Sequence, residues 1–322
     1  FKELIMKLKQ LLLSSLVLVS TSVWADPTYR LFVTNEKSNT VSVIDSRTGK
    51  LETTLEIGDR PRGIGLSPDQ KTLYVALSEE NAIGMVDVAT LEFLGKLEAG
   101  EDPETFDVHP NGNLYLSNED DAKATVVDPS TGKIIKEIRV GLEPEGVAVS
   151  PDGSIVLVTS ESTNMVHVID TTDHKVVANI LVAARPRGLA FNSDGSLAYV
   201  SSEIGNELAI IDTKTHTIIK KVVLDIPKSK PMAIKISPDD KTLYLTTGRA
   251  AKAAIINAET LELIATVDVG KRVWGAELSR DGSKFYTANG VSNTVSVVDT
   301  ATQKNIMDID VGKGPWGLAL DD

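Results

Sequence analysis

Along most of this chain short apolar runs alternate with polar turns, and the alternation repeats about every 41 or 42 residues. Each unit opens on a proline followed by small and apolar residues. A Ser-Pro-Asp-Gly-like turn follows, then an apolar run ending near Leu-Tyr-Val, then a polar loop. Val-x-Val-Ile-Asp, a Thr-Gly-Lys-like turn and a run closing near Val-Gly complete it. Copies occupy residues 60–100, 102–141, 143–183, 185–226, 230–270 and 272–312. A period of this size marks a propeller or a solenoid. In 143–183 the apolar runs are 146–150, 155–160, 165–169 and 175–182, with Pro151, Asp152 and Gly153 making the first turn. Proline there presets φ and glycine accepts a positive φ. Runs this short at spacings near ten residues predict strands, and the mature chain shows no convincing helical period. Four strands per unit and seven units predict an all-β, seven-bladed propeller. Residues 314–322 read as a first strand and residues 30–58 as the last three. The two stretches are expected to share one blade and close the ring.

The first 25 residues break the pattern. Met6, Lys7, Leu8 and Lys9 give a charged start, 11–19 an apolar stretch, and Val23-Trp24-Ala25 a small-residue cleavage site. This is the signature of a signal peptide over 6–25, with residues 1–5 an upstream extension. The apolar stretch is too short to span a bilayer comfortably. The expected mature protein is a single domain over 26–322, exported to the periplasm, soluble and without a membrane span. The chain has no cysteine. Disulfides, a lipid-anchored cysteine and covalent haem attachment are therefore excluded. Net charge is −12, and losing Lys2, Lys7, Lys9 and Glu3 with the leader makes it −14. That balance argues against nucleic acid and anionic membrane as partners.

Phe32-Val33-Thr34-Asn35 with 39–45, and Tyr286-Thr287-Ala288-Asn289 with 293–299, resemble the signature of YVTN-family β-propeller repeats. The Ser-Pro-Asp turns at 67–69, 150–152 and 237–239 match the same family. The unit 230–270 departs from it, with Ala251 and Asn257 at the asparagine and aspartate positions. Seven repeats behind a leader look most like the exported propellers associated with PQQ-dependent alcohol catabolism and its transport operon. The resemblance implies a periplasmic, non-enzymatic binding protein. Its partners would be a small anionic ligand, PQQ being the candidate, or periplasmic transport and dehydrogenase proteins.

Stacking the units separates scaffold from site. The turn residues are those a hairpin demands. Asp45, Asp87, Asp128, Asp170, Asp212 and Asp299 fall where an Asx turn leads into the last strand. The position after the opening proline varies instead: Arg62, Glu104, Glu145, Arg187, Met232, Trp274, Trp316. Two residues earlier stand Arg60, Asp102, Glu143, Arg185, Lys230, Arg272 and Gly314. Both columns open the innermost strand and should ring one mouth of the central channel. Any large polar residue satisfies a solvated rim, so the variation alone does not prove a site. A site is the sharper reading: indoles stack on ligands and guanidiniums fork onto carboxylates. The candidate ligand residues are Arg60, Arg62, Arg187, Arg272, Trp274 and Trp316.

The loop after the second strand adds Glu36, Ser78, Glu119, Glu161, Glu203, Gly248 and Gly290. It should lie on the same face. Asp102, Glu104, Glu119, Glu145 and Glu161 would then crowd together, and calcium or another hard multivalent cation would relieve them. A solvated acidic face flanked by Arg62 and Arg187 is the plainer alternative. Asp107, Lys235 and Glu277 replace small residues in the channel strand and are expected to form an internal ion pair. The four histidines fall outside the mouth columns, so no His-based triad or zinc site is predicted. Two further readings stay open beside the binding protein: a metal-assisted lactonase or hydrolase at the acidic mouth, and a structural scaffold in the envelope.

Overall fold

The apolar runs become strands that pair with their chain neighbours in antiparallel ladders. The computed structural model describes residues 26–322. The expected signal peptide over 6–25 lies outside them. The described residues form seven four-stranded sheets. Among them no helix is long and apolar enough to cross a membrane. In the unit 143–183 the strands are Pro144–Val149, Ile155–Ser160, Met165–Asp170 and Lys175–Leu181, within two residues of the sequence reading.

Ring closure follows the expected route. Pro315–Asp321 is the innermost strand of the sheet whose other strands are Arg30–Asn35, Thr40–Asp45 and Lys50–Leu55. Leu31 pairs with Leu320 and Phe32 with Ala319. Asp321 accepts hydrogen bonds from the backbone N–H and the hydroxyl of Thr28 at 2.7 and 2.6 Å. Pro315–Asp321 also packs between the inner strands Val273–Leu278 and Pro61–Leu66.

The core lies between blades rather than within them. Second and third strands are buried on both faces, while outer strands face solvent on one side. Phe32, Val41 and Val43 pack on Leu73, Val75 and Val86 of the next blade. Leu157, Val166 and Val168 pack on Ala198, Val200 and Ile211. Burying a side chain of this size contributes about 1.5–3 kcal/mol. The ring therefore hangs together through every blade interface.

Three local devices fix the mouth. Asn39, Asn81, Asn164 and Asn293 adopt left-handed backbone in the loop after the second strand. Their side-chain oxygens accept the backbone N–H of Arg60, Asp102, Arg185 and Gly314, each at 3.0 Å. Asparagine tolerates this conformation best after glycine, which accounts for the asparagine of the repeat. The residues it caps are left-handed as well. A hydroxyl on the second strand then pins the mouth residue of the following blade. Thr34 donates to the carbonyl of Arg62 at 2.7 Å, Ser117 to Glu145 at 2.6 Å, Thr159 to Arg187 at 3.2 Å and Thr246 to Trp274 at 3.0 Å. Finally, a Cβ on Gly146 would run into the carbonyl oxygen of Arg187. Proline, a free position and glycine thus present one interchangeable side chain per blade.

Candidate active site

Both variable columns do meet on one face, and their charges interlock. Arg62 ion-pairs with Glu104 of the next blade and reaches Glu36 of the preceding one at 3.2 Å. Arg60 lies 3.3 Å from Asp102 and 3.7 Å from Glu104. On the other side Arg187 ion-pairs with Glu145 and lies 2.6 Å from Glu161 and 3.4 Å from Glu203. Arg185 reaches the same Glu161 at 2.5 Å and Glu203 at 3.3 Å. The basic and acidic residues of the mouth are therefore not separate. Arginines of two blades are inserted among the carboxylates of their neighbours.

Carboxylates are still in excess, and most are buried. Glu104 is 0% exposed, and Glu145, Glu161 and Glu203 are buried too. Glu104 Oε1, Glu161 Oε1 and Glu203 Oε2 receive no well-aligned hydrogen bond among the described residues. Desolvation disfavours the charged form and a neighbouring carboxylate adds to it. Burial, followed by the charge of Glu145, pushes Glu104 up to about 9 against the pull of Arg62. Burial and Glu145 likewise push Glu161 up to about 7. Burial raises Glu119 and Asp102 as well. The charge of Glu145 thus acts on both Glu104 and Glu161, raising each in addition to burial.

Of the five carboxylates proposed from sequence to hold a cation, Asp102, Glu104 and Glu119 offer oxygens within 4.8 Å of one another. Glu145 and Glu161 turn instead to Arg187. The triad suits a hard cation in ligand type. Its surroundings do not, because Arg60 and Arg62 already supply positive charge to Asp102 and Glu104.

The remaining three mouth positions are apolar. Trp274 and Trp316 stand in adjacent blades, and Met232 lies beside Trp274 on its other side. The Arg62 guanidinium lies 5.7 Å from the Trp316 ring, Arg187 5.7 Å from Trp274, and Arg272 4.1 Å from Trp274. Met232, Trp274 and Trp316 share a cavity of about 200 Å³ with Glu145 and Arg187. All six sequence-proposed ligand residues reach this face. Arg60, Arg62 and Arg187 are, however, engaged by the protein's own carboxylates, so they are not the free forks that a carboxylate-bearing ligand such as PQQ would need. Glu36 and Glu203, the latter buried against Arg185 and Arg187, belong to the site and were not singled out. Their signal was membership of the second variable column.

The opposite end of the channel opens into a larger cavity of about 800 Å³. The expected ion pair is there: Lys235 meets Glu277 at 2.8 Å. Asp107 accepts backbone N–H groups from Val108 and Val149, each at 2.8 Å. Burial raises it. The histidines stay outside the mouth. His167 accepts the Gly141 N–H at 2.8 Å and bonds Asn179 at 2.6 Å, a structural role.

The family model described as Lactonase, 7-bladed beta-propeller matches residues 22–140 and 143–307. No curated protein sequence matches the chain. Among solved structures, hydrazine synthase of Kuenenia stuttgartiensis is similar with a TM-score of 0.77 at 23% identity, over 84% of this chain and 92% of that one. A functionally unknown protein of Desulfotomaculum acetoxidans has a TM-score of 0.81 at 17% identity, over 90% and 98%. A protein of Bacteroides fragilis provisionally named a 6-phosphogluconolactonase has a TM-score of 0.77 at 22% identity, over 92% and 100%. At these identities the structures speak for the fold alone. The family match overturns the expectation of a non-enzymatic binding protein tied to PQQ-dependent catabolism and transport. Of the readings drawn from the sequence, the hydrolase is the one it supports.

Proposed function

Because the chain belongs to the lactonase family of seven-bladed β-propellers, we propose that it opens a lactone ring by hydrolysis at the carboxyl-rich mouth. The observation that carries this reading is the pairing of unlike carboxyl groups around one charge. Burial and the charge of Glu145 raise both Glu104, to about 9, and Glu161, to about 7, so the first favours holding a proton and the second favours exchanging one. Two titrating groups pushed apart by their surroundings are the mark of an acid and a base.

In the proposed reaction Glu161 takes a proton from water as its oxygen bonds to the lactone carbonyl carbon. The carbonyl oxygen gains negative charge, which the Arg187 guanidinium stabilises. The bond from carbonyl carbon to ring oxygen then breaks, and Glu104 gives its proton to that oxygen. The product is a hydroxy acid. Glu161 ends protonated and Glu104 ionised, and exchange with solvent restores both. No metal enters these steps, since arginine supplies the positive charge. The leader-like run at 6–25 supports action outside the cytoplasm. A panel of sugar and aliphatic γ- and δ-lactones, followed by acid release at constant pH, tests the reading. It requires at least one lactone to open faster than in the protein-free control. A panel that opens at the control rate throughout refutes it.

A further inference from the structure

In two adjacent blades a large apolar mouth residue stands over a glycine in the loop column, whereas Trp316 shares its blade with Glu36. Where the mouth residue is Glu104, Glu145 or Arg187, the loop column holds Glu119, Glu161 or Glu203. Where it is Met232 or Trp274, the loop column holds Gly248 or Gly290. A Cβ on Gly290 would lie 2.6 Å from both Cδ1 and Nε1 of the Trp274 indole. A Cβ on Gly248 would lie 3.0 Å from Cγ of Met232 and equally 3.0 Å from the carbonyl oxygen of Lys230. Gly290 is not among the residues with positive φ. Its backbone conformation accepts a side chain, and the indole is the nearest obstacle, ahead of the Arg272 carbonyl oxygen at 3.2 Å. A bare Gly290 therefore leaves the space that the Trp274 indole occupies. With Gly290 bare, Trp274 folds back over the loop and lies between Arg187 and Arg272.

This gives the mouth two unlike walls around one small cavity. One wall is Met232, Trp274 and Trp316, and the other carries Glu145 and Arg187. A volume near 200 Å³ suits a single small ring rather than a drug-sized molecule. An indole face attracts polarised C–H bonds, whereas carboxylates accept hydroxyl protons. We propose that Met232, Trp274 and Trp316 are the seat on which a saturated, hydroxylated lactone ring lies by its C–H face, and that Gly290 is the positioning residue holding Trp274 in that seat. The inference rests on the hydrolase reading for the identity of the ring, but not for the seat itself.

D-glucono-δ-lactam, a ring amide that resists hydrolysis, separates the two. Trp274 and Trp316 are the tryptophans of residues 26–322, so their emission reports on the seat. Titration of the wild type gives a saturable change. Gly290→Ala weakens binding by roughly three- to tenfold, the scale of one stacking contact, and shifts the emission as Trp274 leaves its guanidinium neighbours. Trp274→Phe, read through Trp316, weakens binding comparably. Adding Gly290→Ala to Trp274→Phe changes little more, because the glycine acts through the indole. With D-glucono-1,5-lactone as substrate, the Gly290→Ala loss falls on KM and leaves kcat near wild type. Three results overturn the proposal: no saturable change in the wild type, equal affinity in Gly290→Ala, or fully additive losses in the double variant. If the lactam binds as described while no lactone is turned over, the seat stands and the hydrolase reading falls. If lactones are turned over while lactam binding is indifferent to Gly290 and Trp274, the hydrolase reading stands and the seat falls.

Discussion

Arg187 Nε lies 2.6 Å from Glu161 Oε1, and the same guanidinium ion-pairs with Glu145. The three residues come from two blades, with Glu145 and Glu161 in one and Arg187 in the next. All three are buried. Removing Arg187 leaves Glu145 buried without its guanidinium partner, which costs about 3–5 kcal/mol. Arg187→Ala should therefore lower unfolding stability by about that amount. Denaturant melts compare it with Arg185→Ala, whose guanidinium is 43% exposed and whose loss should cost far less. Equal losses would show that Arg187 does not organise the mouth.

The pH dependence of stability follows from the raised carboxyls. Glu104 and Glu161 are pushed up to about 9 and about 7 from the ordinary glutamate value of 4.5. The folded state thus binds more protons than the unfolded state between those limits. The resulting stabilisation is fully present below about 4.5 and is lost as pH rises through about 7 for Glu161 and about 9 for Glu104. Glu104→Gln, which stays neutral, should flatten the decline of stability toward pH 9. A variant as pH-sensitive as the wild type there would place the titration elsewhere.

His167 has the opposite sign. Burial lowers it from 6.5, because protonation would forfeit its acceptance of the Gly141 N–H. Its contribution is present above about 6.5 and is lost as pH falls below that. Gly141 precedes the crossover that carries Glu143 and Glu145, so the loss is local to the acidic arc. His167→Gln should remove this acid-side decline, read as unfolding midpoint between pH 5 and 7. An unchanged slope would exclude it.

Much of this was legible in the chain. The 41–42-residue period gave strand number, blade number and the shared blade, because local patterning and blade packing agree at every repeat. The Asx turns appear as expected: Asp45 Oδ1 accepts the N–H of Arg47 and Thr48 at 2.9 and 3.1 Å. Even Lys235 and Glu277 were paired by exception to a column of small residues. The mouth was legible only as a set of positions. Which carboxylate Arg62 or Arg187 takes depends on how far each side chain reaches across the blade interface, and no sequence spacing encodes that. Gly290 looked like an empty place in a glutamate column. Its meaning came from the indole of a residue 16 positions earlier, folded onto it through the sheet. The choice between binding and hydrolysis turned on the family match, which no single residue column encodes.

Because Arg60 and Arg62 already place positive charge beside Asp102 and Glu104, turnover should survive exhaustive treatment with a metal chelator. Rates before and after chelation, and after calcium is restored, check this. Loss on chelation with recovery on calcium would assign the Asp102, Glu104 and Glu119 triad to a metal instead.

The most direct test of the central claim is the pH profile of kcat/KM for lactone opening in the wild type and in Glu161→Gln. The wild type should give a bell, rising as Glu161 ionises near 7 and falling as Glu104 loses its proton near 9. Glu161→Gln should lose the rising limb and about two to four orders of magnitude in rate. A Glu161→Gln enzyme with the wild-type rate and the same rising limb would contradict the assignment of the mouth as the hydrolytic site.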